Sequence, residues 1–350
     1  MNVMMVPPKN ESNRYLSSLT RELESNNVEV IDYTWNSYLP ILGPIRSIDN
    51  PDVIHIHWLD ALIIGPTVPR TVFKGFRLVF ELLIVRLLGI QVVWTVHNLT
   101  AHDSAYPQWE VFWRSIASRY FFSNLIVHCK VAKELVREKY HLGPSTQISV
   151  IPHGNYISEY NNIPDEMSAR KELGIEPDAR VFMFFGQIKP YKQVPYLIES
   201  FKNIDYENTT LIIAGNPSSK SLQSQIDRQS ENHDDIRTRL EFIPEEDVAK
   251  YFTVADIVVL PYRNILTSGS AILAMSFARP TIVPQIGCLP ELINNNVNGF
   301  LYDPDDPNSL EQTMSSALEA DLAEIGKNGY ETVEKLKWSE IANKTIRAYE

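Results

Sequence analysis

The sequence predicts an α/β protein made of two doubly wound, parallel-sheet domains, and three observations carry that expectation. Short β-branched runs alternate with amphipathic segments, a polar stretch interrupts the alternation near the middle, and the alternation then restarts. At 350 residues, 44% hydrophobic and 21% charged, the chain is long enough for two cores.

In chain order, residues 3–6 read as a short apolar strand, and 11–26 has helical spacing through Leu16, Leu19 and Leu23. Residues 28–33 and 51–57 read as strands, the second apolar on both faces as parallel strands are. A helix over 70–88, a strand over 91–95, a helix over 109–122, a strand over 124–128, a helix over 132–140 and a strand over 148–151 follow. Residues 155–176, with Asn161-Asn162 and Pro164-Asp165, are turn-rich and hold the boundary. The expected parts are 1–160, 161–337, and a closing helix over 338–350 that crosses back to the first domain.

The second run predicts strands at 181–185, 210–214, 240–243, 257–260, 281–283 and 300–302. Helices are expected over 195–201, 222–230, 246–255, 271–277, 309–320 and 321–336. In open α/β sheets ligands bind beyond the carboxyl ends of the strands, so function is expected on the loops that follow them, facing one cleft.

Composition excludes some classes. A net charge of -11 argues against nucleic acid as a partner. Cys129 and Cys288 lie far apart without CxxC spacing, which points to two core cysteines and not to a disulfide framework or a structural zinc site. The N-terminus lacks a signal-peptide pattern, and no run reaches the ~18 uncharged apolar residues of a membrane span. A cytoplasmic location is expected. The segment 70–88 leaves two readings open: a helix packed on the sheet, or one resting on an anionic membrane surface.

The strand ends carry the candidate ligand groups. Ser268, Gly269 and Ser270 open a helix, where free N–H groups and the helix dipole suit a phosphate, although Ser268 could simply cap a core helix. Lys189 and Lys192, after Gly186 and Gln187, could neutralise a diphosphate leaving group, or be solvated surface lysines. Gly215 ends another strand. His97 and Asn98 follow a buried strand, where the histidine could meet a sugar hydroxyl or be a satisfied core residue. His55 and His57 share one strand face; His57, nearer the exit, is the ligand candidate and His55 the structural one. His153 at the hinge is open to both roles. Asp303, Asp305 and Asp306 read as a surface turn, and no metal is expected.

Together these pieces resemble the GT-B glycosyltransferases, in particular family 4. The matching stretches are VIPHG (150–154), FFGQIKPYK (184–192), LIIAG (211–215), ADIVVLPY (255–262), SGS (268–270), AMSFARP (274–280) and GCLPE (287–291), with DVIHIH (52–57) and TVHN (95–98) in the first domain. The resemblance implies a second domain that binds a nucleoside diphosphate sugar, without metal or other cofactor, and a first domain that binds the acceptor. It places Lys192 on the diphosphate, Gly269 and Ser270 as amide donors to it, Ile243 on the base, Tyr262 in the donor site and His97 by the transferred sugar. Asn10, His57 and Asn98 of the first domain are the candidates for the acceptor.

Four features depart from the family pattern. Two glutamates usual around the phosphate loop fall on Ile265 and Leu273; an arginine falls on Gln187, a glycine after the lysine on Gln193, and the paired glycines after the first strand on Val6-Pro7-Pro8-Lys9. The sequence thus reads as a divergent branch. The expected activity is hexosyl transfer from a UDP- or GDP-sugar to a glycan or lipid-linked glycan, with retention implied. The alternatives are a non-catalytic GT-B partner subunit, a sugar-nucleotide epimerase, and a phosphorylase.

Overall fold

The structure, a computed structural model, describes residues 1–10, 13–46, 51–102, 104–160 and 162–350. Glu11, where the first helix was expected to start, and Asn161, the expected boundary residue, lie outside the described residues. Two compact units form: Met1–Gly154 with Leu336–Glu350, and Asn155–Lys335.

The first unit holds an all-parallel sheet of β1 (Asn2–Val6), β2 (Glu29–Val30), β3 (Val53–Ile56), β4 (Gln91–Thr95), β5 (Asn124–Val127) and β6 (Ile148–Val150). The strand order is β2-β1-β3-β4-β5-β6. The second unit is equally parallel, with β7 (Arg180–Phe185), β8 (Thr209–Ala214), β9 (Ile236–Arg239), β10 (Ile257–Val259), β11 (Thr281–Pro284) and β12 (Phe300–Tyr302) in the order β12-β11-β10-β7-β8-β9. The order reverses direction between β1 and β3, and between β10 and β7. Such switch points open a crevice at the strands' carboxyl ends, because the connections on either side leave in opposite directions.

Helix α1 (Arg14–Ser25) starts at Asn13, whose side chain accepts the Leu16 N–H at 3.2 Å. Helices α2 (Val68–Leu87) and α3 (Pro107–Tyr120) cover the first sheet, and α4 (Gly269–Ser276) follows β10. The closing helix α5 (Trp338–Tyr349) joins the core of the first unit, where Trp338, Ile341, Ala342 and Tyr349 pack with Leu16, Leu19 and Leu23 of α1. Burial of these large side chains, each worth about 1.5–3 kcal/mol, anchors the terminal helix there.

Two strand assignments need correction. Residues 28–33 contribute only Glu29–Val30, and the strand expected at 240–243 lies instead at Ile236–Arg239. Both are edge strands; Arg237, Thr238 and Arg239 are exposed, so no apolar run marks them. The turn-rich segment also hides a helix, Glu166–Glu172, capped where Asp165 accepts the Ser168 N–H at 2.9 Å. Cys129 and Cys288 are both buried, as expected of core cysteines, but neither is a free thiol.

Candidate functional site: an ammonium beside a helix start

The donor candidates gather at the switch point of the second sheet. After β7 the chain turns at Gly186, whose φ of +120° favours glycine. A Cβ placed there would lie 3.5 Å from Lys192 Nζ and 3.9 Å from Ser270 Oγ. Ammonium and helix start thus face one backbone position that carries no side chain. Gly215, after β8, comes closer still: its Cβ would stand 2.0 Å from the Gly186 carbonyl oxygen, so no side chain fits.

Lys192 ends a short 3-10 turn, Pro190–Lys192, which is tied to the loop after β10 where Arg263 N–H donates to the Tyr191 carbonyl at 2.9 Å. Its ammonium sits 5.4 Å from the Tyr262 ring centroid and 5.8 Å from that of Phe184. Burial, and secondarily the charge of Lys189, lower its pKa from 10.5 to about 8. The next residue, Gln193, holds the left-handed conformation at φ 51°, at the position where the family pattern has glycine.

Ser268 caps α4, its Oγ accepting the Ala271 N–H at 3.2 Å. The buried Tyr262 is hydrogen-bonded through its side chain to Ser270 and Ser268, while burial pushes its hydroxyl up to about 12. The capping role expected of Ser268 is thus present. Gly269 and Ser270 are partly exposed. A cavity of about 320 Å³ adjoins this corner, lined by Gly186, Gln187, Gly215, Asn216, Phe242 and Ile243 among others. Asn216 stands beside Gly215 at the end of β8, among the strand-end candidates of the sequence; Phe242, 75% exposed, was not singled out there. Lys189 is partly buried and Gln187 exposed.

The acceptor candidates belong to the first unit. Asn10 is exposed, and its backbone carbonyl accepts the Asn13 N–H at 3.0 Å. The loop after β4 is held by buried groups of α3 and beyond. Arg114 donates to the Asn98 carbonyl at 2.8 Å, Glu110 accepts the Ala101 N–H at 2.8 Å, and Tyr140 donates to the Leu99 carbonyl at 2.6 Å. Arg114 and Glu110 also pair with each other.

His97 heads this loop and lies among aromatic rings. Tyr15 of α1 meets His97 edge-on at 4.8 Å, and Trp58 stacks on its other side at 4.9 Å. Its ring nitrogens contact His57 at 3.4 Å and His128 at 3.3 Å. His57 is 1% exposed and His55 fully buried, the latter bonded to Tyr349 Oη and Thr95 Oγ1, each at 2.7 Å. Burial lowers the pKa of all of them, His55 to about 3 and His128 to about 4. His128 was read in the sequence only as a strand end; it occupies the exit of β5 as His97 does that of β4.

Residues 179–320 match the family model described as Glycosyl transferases group 1. A GDP-mannose:glycolipid 4-beta-D-mannosyltransferase of Xanthomonas campestris pv. campestris is 27% identical over 238 residues, covering 67% of this chain and 61% of that protein. A D-inositol 3-phosphate glycosyltransferase of Corynebacterium efficiens is 26% identical over 281 residues, covering 75% and 66%. The chain thus spans 61–66% of the length of these relatives. Sucrose-phosphate synthase from Thermosynechococcus elongatus superposes with a TM-score of 0.79 at 17% identity, covering 100% of this chain and 98% of that one. WaaG, a glycosyltransferase involved in lipopolysaccharide biosynthesis, gives 0.69 at 11%, covering 99% and 98%. The second unit thus matches a group 1 glycosyltransferase model over residues 179–320, and the chain along its whole length has the GT-B fold.

Proposed function

We propose that the protein transfers a hexose, with retention, from a UDP- or GDP-sugar to a hydroxyl of a glycan or lipid-linked glycan. The observation that carries this reading is the convergence of Lys192 Nζ and Ser270 Oγ on the Cβ-less Gly186. An anion there would meet a desolvated ammonium and the first N–H groups of α4, which favour the departing diphosphate more as its charge grows. The adjoining cavity, with Ile243 on its wall, is of a size for a base. Relatives supply the substrate classes: GDP-mannose and glycolipid in the name of one, and UDP-glucose bound to Anabaena HepE, which superposes with a TM-score of 0.75 at 17% identity.

In this reading Lys192 neutralises the leaving group and Gly269 and Ser270 hold it. Tyr262 orients both serines, and His97 contacts the transferred sugar. Asn98, His57 and Asn10 serve the acceptor. No metal or cofactor is required, and chelator is expected to leave the rate unchanged.

The reading extends to peripheral contact with the inner face of a membrane through 70–88. No described helix is long and apolar enough to cross one. The outer face of α2 carries Phe73, Phe76, Phe80, Leu83 and Leu87, all exposed, with exposed Arg70 near its start, while Lys74 and Arg77 turn to the carbonyls of Ile64 and Leu62. The test of the activity is incubation with a panel of UDP- and GDP-sugars and lipid-linked acceptors. Sugar appearing on the acceptor supports the reading; release of sugar phosphate on adding inorganic phosphate, with no transfer, would replace it by phosphorolysis.

A further inference from the structure

Four strand exits of the first unit end in histidine, at His57, His97, His128 and His153, and three of these rings are joined nitrogen to nitrogen. Carbonyl oxygens cannot donate. The contact of His128 Nδ1 with the Ile151 carbonyl at 2.9 Å therefore puts the proton of His128 on Nδ1. Neutral His128 then has only a lone pair on Nε2, so the contact at 3.3 Å is donated by His97 Nδ1. His97 Nε2 is in turn an acceptor, and the contact at 3.4 Å is donated by His57 Nδ1. The row ends at His57 Nε2, a buried lone pair without a hydrogen-bond partner among the described residues.

We infer that His57, His97 and His128 form a one-way row, oriented by the Ile151 carbonyl, that spends all three N–H groups and leaves His97, its partly exposed ring, to receive a ligand hydroxyl as an acceptor while rejecting fully ionised phosphate or carbonyl oxygens. All three N–H groups are spent inside the row. His57 Nε2 is buried, so a hydroxyl meets the row at His97 Nε2, where it competes against a bond that is long for its kind. An acceptor group would find lone pairs facing lone pairs.

Neutrality is supported by the surroundings. Burial depresses the histidines, and among the described residues the groups that act on His57 and His97 by charge are other imidazoles, His55 and His153 among them. The remaining faces meet Tyr15 and Trp58. Among the described residues no group of three histidine, cysteine or acidic side chains is placed to hold a metal ion. His57 and His128 are accordingly positioning residues that act through His97. The ligand class rests on the reading of His97 as a sugar contact; the direction of the row does not.

Nitrogen-15 NMR of the full chain, with ring signals assigned by single His→Gln variants, reads each tautomer directly. The expected result is Nδ1–H on all three rings, neutral between pH 5.5 and 8. A proton on Nε2 of any of them, or a charged ring at pH 6, overturns the inference. In His128→Phe, which keeps the ring and removes the acceptor, His97 is expected to become a mixture of tautomers; an unchanged His97 would count against the row. Should that variant not fold, the wild-type tautomers still decide. Sulfate, which has no hydrogen to donate, is expected to leave the three signals in place, and movement of His97 Nε2 toward the protonated position would refute the selectivity. Failure of nucleotide binding would instead strike the transferase reading and leave the tautomers untouched.

Discussion

Lys192→Met is expected to stabilise the protein while removing its donor affinity, the reverse of what a buried substitution usually does. The ammonium is 9% exposed, and its pKa falls from 10.5 to about 8 through burial and the nearby Lys189. That fall corresponds to a penalty on the charged form of about 3 kcal/mol. The sign follows from linkage. Below pH 8 the lysine is charged in both states and the folded state carries the whole penalty. Between pH 8 and 10.5 the folded lysine loses its proton first, so the penalty fades and stability rises with pH. Methionine keeps most of the volume and drops the charge, giving up the contacts with the Phe184 and Tyr262 rings, worth about 0.5–2 kcal/mol. The net gain is about 1–2 kcal/mol, or about 5 °C in the transition of a unit this size, by scanning calorimetry at pH 7. Nucleotide affinity is expected to fall about 30- to 100-fold through loss of a charge-assisted contact. A lowered transition temperature together with undiminished nucleotide binding would refute the reasoning.

Three further outcomes are expected. Nucleotide affinity should decline as pH rises through about 8, with proton uptake on binding at pH 8.5 seen as a buffer-dependent heat, because the bound diphosphate favours the charged lysine; a flat profile from pH 7 to 9 would dissociate Lys192 from the anion. The double variant Phe73→Ser, Phe80→Ser removes two exposed rings, 68% and 56% accessible, and should lower co-sedimentation with phosphatidylglycerol-containing vesicles at least ~10-fold with little change in stability; equal sedimentation, or binding to phosphatidylcholine alone, would remove the anionic-surface reading. Arg114→Met leaves Glu110 buried without its partner and frees the Asn98 carbonyl, and should cost about 3–5 kcal/mol in denaturant unfolding; a loss under ~1 kcal/mol would show that the clamp on this loop is immaterial.

The parallel sheets were legible because central parallel strands are buried on both faces and leave continuous apolar runs, as in residues 53–56 and 257–259. The edge strands were not, since Glu29–Val30 and Ile236–Arg239 are set by pairing with a neighbour and carry little apolar pattern of their own. In the site, Gly186, Lys192 and Ser270 could be named from the sequence because each stands just beyond a strand or at a helix start. What no spacing discloses is that residues so far apart meet at one switch point, or that desolvation draws the lysine down. The histidines show the same division: their places at strand exits are visible in the chain, whereas the direction of their hydrogen bonds depends on a single backbone carbonyl.

Calorimetric titration of UDP and GDP into the wild-type protein and a Lys192→Ala variant at pH 7 tests the central claim most directly. The account predicts that one of the two nucleotides binds the wild type and that the variant binds it at least ~30-fold more weakly. Binding of neither nucleotide, or equal binding to both proteins, would contradict it.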